Sequence, residues 1–116
     1  MTNQLFINNE FIESQSNETM DVINPATGEK FDTITFATKE EVNNAIEKSK
    51  HAQREWERVP QPTRAEHVKL LIPLLEQNRD EIAQLYVKEQ GKTLAEAYGE
   101  IDKSIAFICL LYTSPS

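Results

Sequence analysis

Residues 36–46 read FATKEEVNNAI, and along them the hydrophobic period of the chain changes. Upstream, Lys30 to Phe36 carries Phe31, Thr33, Ile34, Thr35 and Phe36, aromatic and β-branched residues that suit a pleated surface. Downstream, Val42, Ala45, Ile46, Ser49, Ala52 and Trp56 recur at helical spacing and mark one face. Between them, Thr38 and Glu41 have the spacing of a capping box. There a hydroxyl and a carboxylate each satisfy a backbone N–H left free at a helix start. The sequence therefore predicts strands before residue 37 and helices after it.

Working outward towards the N-terminus, Leu5-Phe6-Ile7 and Phe11-Ile12 flank Asn8-Asn9, and asparagine tolerates the left-handed backbone of a tight hairpin turn. Asp21-Val22-Ile23 leads into Asn24-Pro25-Ala26-Thr27-Gly28, where a proline that fixes φ and a glycine free to take φ > 0 reverse the chain into Lys30 to Phe36. Towards the C-terminus, Pro60 and Pro62 break the first helix. Thr63 and Glu66 read as a second capping box ahead of Val68, Leu71, Ile72 and Leu75. Pro73 lies inside that period; it removes a backbone bond at a cost of ~3 kcal/mol and predicts a kink or an early break. Asn78 with Glu81 opens a third helix that carries Ile82, Leu85 and Tyr86 and stops at Gly91. Thr93 with Glu96 opens a fourth, with Leu94, Ala97, Tyr98, Ile101, Ile105 and Ile108 along one stripe. The expected fold class is α+β: two N-terminal β-hairpins, then about four amphipathic helices. Trp56 and Tyr86 sit in apolar periods and read as core. So many apolar faces in one short chain read as a layer that packs on something else.

The chemistry carried by these residues is sparse. Twelve basic residues stand against 19 acidic ones, a net charge of −7, which opposes binding to phosphate backbones. No basic start joined to an apolar run predicts a signal peptide. The longest apolar run, Ile105 to Tyr112, falls far short of the ~20 residues of a membrane helix. His51 and His67 lie on different predicted helices and read as solvated surface residues. Glu40 and Glu41 are adjacent, so on a helix they diverge and serve its dipole rather than one substrate. The three glycines form no phosphate-binding loop. Cys109, the single cysteine, has no basic neighbour in sequence to lower its pKa and suits a reducing, cytoplasmic setting. The residues by themselves point to no catalytic group and no coenzyme cradle.

Several stretches in one order resemble the N-terminal region of the aldehyde dehydrogenase superfamily. Leu5-Phe6-Ile7-Asn8-Asn9-Glu10-Phe11 is similar to its opening hairpin, and Val22-Ile23-Asn24-Pro25-Ala26-Thr27-Gly28-Glu29 to its Asn-Pro-x-Thr-Gly-Glu turn. Val42 to Trp56 resembles its first helix and Arg64, ahead of Leu70 and Leu71, the start of its second. The most specific stretch is Glu89-Gln90-Gly91-Lys92-Thr93-Leu94-Ala95-Glu96-Ala97 with Gly99-Glu100-Ile101. The resemblance covers residues 5 to about 108.

It implies the opening part of an α/β enzyme, a homodimer or homotetramer, that oxidises a small aldehyde with NAD or NADP to a carboxylic acid or thioester. In such enzymes a cysteine thiolate adds to the carbonyl, hydride leaves for the nicotinamide, and a glutamate helps water cleave the thioester. The family's cysteine, glutamate and coenzyme contacts have no counterparts among these residues and are expected farther along the polypeptide. The resemblance also implies a sodium or potassium ion held by the carbonyls of Val22 and Ile23 and by Glu89. Gln90 to Ala97 lean towards the branches that act on semialdehydes, lactaldehyde and glycolaldehyde.

The last residues read differently. From Cys109 to Ser116 the polar positions vanish, and Cys-Leu-Leu-Tyr-Thr-Ser-Pro-Ser also matches one translated frame of a common transposon-based sequencing adaptor. Residues 1–108 are thus expected to be native aldehyde dehydrogenase sequence, and 109–116 a non-native tail. The chain by itself is expected to be inactive. The competing reading is a free-standing acidic α+β module that binds a protein through its uncovered helix faces.

Overall fold

The computed structural model describes residues 3–113. They form four strands, β1 (Leu5–Ile7), β2 (Glu10–Ile12), β3 (Thr19–Ile23) and β4 (Lys30–Thr35), then five helices: α1 (Lys39–Trp56), α2 (Gln61–Lys69), α3 (Leu71–Gln77), α4 (Arg79–Gln90) and α5 (Leu94–Thr113). The chain divides into two compact units. One holds both hairpins and α1, up to Ile23 and again over Lys30–Arg58; the other holds Asn24–Glu29 and everything from Val59 onward.

In the first unit, β1 and β2 pair antiparallel with Phe6 opposite Phe11. Asn8 and Asn9 both take positive φ, 54° and 65°, the backbone that a two-residue turn needs to match the twist of its strands. The rings of Phe6 and Phe11 lie 4.8 Å apart yet stay largely exposed. β3 and β4 pair from Thr19 opposite Thr35 to Val22 opposite Asp32, then shift so that Ile23 faces Lys30 and Phe31 is the extra residue. The capping box at α1 forms as its spacing predicts: the Glu41 N–H donates to Thr38 Oγ1 at 3.1 Å and the Thr38 N–H to Glu41 Oε1 at 2.7 Å. The apolar face of α1 remains open. This helix buries no residue, and Trp56, expected in the core, is 41% exposed.

In the second unit the core sits where α4 meets α5. Ala83, Ala97 and Ile101 are buried, with Ile82, Tyr86, Val87, Tyr98 and Ile105 packed around them. Small residues at 83 and 97 let the two backbones approach closely. The expected second helix is divided in two by Pro73, which occupies the third position of α3. Its missing N–H would have bonded the carbonyl of Lys69, and Lys69 is where α2 ends. The described residues therefore form five helices where about four were expected, the second being split in two. Thr63 and Glu66 do not stand at the helix start: α2 already starts at Gln61 behind Pro60, and they lie inside it. A proline in the first turn, where N–H groups lack partners anyway, explains that start. Asn78 stands at the expected start of α4 without capping it; its amide donates backward to the Leu74 carbonyl at 2.8 Å. Gly91 ends α4 at φ 68°, as expected, and Thr93 accepts from the Glu96 N–H at the head of α5. Helix α5 runs on through Cys109–Thr113, while Ser114 to Ser116 lie outside the described residues.

Candidate functional site

Two of the stretches that carry the resemblance, the Asn24–Gly28 turn and the end of α4, meet in the second unit. Asn24 organises its loop: its side-chain Oδ1 accepts from the Ala26 N–H at 2.9 Å, its carbonyl accepts from the Gly28 N–H at 2.7 Å, and its own N–H donates to the Glu29 carbonyl at 2.9 Å. This closed turn packs on the end of α4. A Cβ at Gly91 would fall 3.0 Å from Pro25 Cγ and 3.3 Å from the Ala26 nitrogen. Position 91 thus needs glycine for its left-handed backbone and for the space the turn occupies. Beyond it, the Lys92 ammonium lies 5.6 Å from the centre of the Tyr86 ring. Tyr86, by a hydrogen bond first and by charge second, raises the Lys92 pKa above its ordinary value. Lys92 therefore stays protonated at neutral pH and is no general base.

A second polar cluster joins α4 to α5. Arg79 donates from Nε and Nη2 to the two carboxylate oxygens of Asp102, at 2.8 and 2.9 Å. Its guanidinium lies 4.2 Å above the Tyr98 ring, and the Tyr98 hydroxyl donates to Asp80 Oδ1 at 2.7 Å. The hydrogen bond to Arg79 lowers the Asp102 pKa, that to Asp102 raises the Arg79 pKa, and the one to Asp80 raises the Tyr98 pKa. Each shift holds a group in its ordinary neutral-pH form, so the cluster is a clamp rather than an acid–base pair. Residue separations of 18 and 23 hide it from any local pattern.

In the first unit, Glu41 does more than cap. Its Oε2 accepts from the Gln15 N–H at 3.0 Å, and the Ser14 hydroxyl lies 2.7 Å from Oε1 and 2.7 Å from the Phe36 carbonyl, donating to one at a time. The Thr38 N–H foremost, then Ser14, hold the Glu41 pKa down at about 2. A carboxylate fixed in its ionised form ties the segment after β2 to the start of α1; it cannot shuttle protons at neutral pH.

The expected site residues stand as follows. Val22 and Ile23 lie in β3 in the first unit; Glu89 lies exposed in the last turn of α4 in the second. No cluster of three or more His, Cys, Asp and Glu side chains among the described residues is placed to hold a metal ion. Cys109 is exposed on α5. His51 sits on the surface of α1, 3.8 Å from Glu55.

Residues 11–114 match the sequence model of the aldehyde dehydrogenase family. The chain is 37% identical over 110 residues to a malonate-semialdehyde dehydrogenase of Bacillus cereus and 36% identical to one of Bacillus cytotoxicus. Each alignment takes in 95% of this chain and 23% of the relative, so the chain spans about a quarter of the curated relatives it matches. Among solved structures, an NAD-dependent benzaldehyde dehydrogenase from Corynebacterium glutamicum superposes with a TM-score of 0.89 at 27% identity, over 98% of this chain and 27% of that one. A betaine aldehyde dehydrogenase from Staphylococcus aureus in complex with NAD+ gives 0.84 at 29% identity, over 94% and 23%. The likeness reaches both hairpins, the Asn24–Gly28 turn and the helices, and the chain belongs to the aldehyde dehydrogenase family.

Proposed function

We propose that these residues open the polypeptide of an enzyme that oxidises a small aldehyde to a carboxylic acid or thioester, with NAD or NADP as hydride acceptor and a cysteine thiohemiacetal on the path. The observation that carries this reading is the family match over residues 11–114, with relatives and structural neighbours named as aldehyde dehydrogenases. The malonate-semialdehyde dehydrogenases among them favour a semialdehyde as substrate. The cytoplasm, and a homodimer or homotetramer, belong to the same proposal; no described helix is long and apolar enough to cross a membrane.

The described residues do not fit a dinucleotide. Gly28 serves a turn, Gly91 caps a helix against Pro25, and Gly99 lies within α5. At the starts of α1 and α5 one free N–H each, that of Glu41 and that of Glu96, is met by Thr38 and Thr93. Coenzyme, thiolate and general base therefore belong to the remaining polypeptide, and the 116-residue chain is inactive by itself. Cys109 is no candidate for the thiolate, because we read residues 109–116 as a tail foreign to the gene, although the family match itself runs on to residue 114.

Reading the source locus past the Ile108 codon, then expressing what it encodes, tests this. A frame that continues for several hundred residues, contains a cysteine and replaces Cys109 to Ser116 supports the proposal. A frame that stops would favour the acidic interaction module instead, for which the exposed apolar faces speak. In the complete enzyme, Val22, Ile23 and Glu89 are the proposed donors to a sodium or potassium ion. Glu89→Gln should lower thermal stability in Na⁺ or K⁺ buffer and leave it unchanged with a large organic cation; equal losses in both would remove the ion.

A further inference from the structure

We draw no further inference here: the strongest candidate, the open apolar groove between α3 and α4 lined by Leu71, Leu74, Leu75, Ile82 and Leu85, carries nothing, because nothing in the structure shows what covers it.

Discussion

Helix α1 and the α4–α5 pair are all amphipathic, yet they are held in different ways. α1 is held by chemistry at its first turn: the Thr38–Glu41 box, with Ser14 and Gln15 adding two contacts to the same carboxylate. It buries none of its residues. α4 and α5 are held by packing around Ala83, Ala97 and Ile101, and by the Arg79–Asp102 clamp. The Thr38–Glu41 hydrogen bonds, between residues three apart, secure a helix end without a core, whereas close packing, like the Ser14 and Gln15 contacts, needs residues far apart in sequence. The first kind of support survives when neighbouring structure is missing; the second defines what a folded unit is.

The largest effect that would sharpen this contrast belongs to the packed pair. In the full-length protein, Ile101→Ala should cost about 2–4 kcal/mol, because it removes a buried side chain from a contact with little room to collapse. Denaturant unfolding monitored across α4 and α5 reads this, and a loss within error would mean that the pair is held by something other than its core. Thr38→Ala should cost about 1 kcal/mol, the usual worth of a helix N-cap. A peptide of residues 36–57 isolates that effect: its helicity should fall on the substitution, since the cap needs no tertiary partner. Unchanged helicity would break the claim that α1 is secured locally.

The pH dependence of α1 is the subtlest expectation. Glu41 is lowered from an ordinary 4.5 to about 2, so the ionised form is favoured by folding. Its stabilisation is complete above pH 4.5 and is lost progressively as pH falls towards 2. Over that window the protection of the Gln15 and Thr38 amides, two donors to this carboxylate, taken relative to intrinsic exchange at each pH, should fall in the wild type, and Glu41→Gln should flatten the response. Identical acid profiles would mean that the carboxylate adds nothing beyond what an amide supplies.

What could be read from the sequence follows the same division. Both hairpins, the α1 box and the Gly91 stop were legible because each depends on residues a few places apart: Asn8-Asn9, Thr38 with Glu41, one glycine after a helical period. Asn78 and Thr63 misled because a capping residue competes with what surrounds it. Asn78 turns back to the Leu74 carbonyl, and Pro60 starts α2 before Thr63 can. Trp56 read as core from its period, but a period gives a face without saying what covers it. The Gly91–Pro25 contact and the Arg79–Asp102 clamp were invisible, since no local pattern records a pairing made across the fold.

The chain belongs to the aldehyde dehydrogenase family, and we propose that its chemistry lies beyond these residues. Coenzyme reduction, measured side by side for the 116-residue chain and the full-length product with malonate semialdehyde and either NAD or NADP, tests it most directly. Reduction is expected from the full-length product and none above buffer from the chain alone. Reduction by the chain alone, or none by a folded full-length product with any aldehyde, would contradict it.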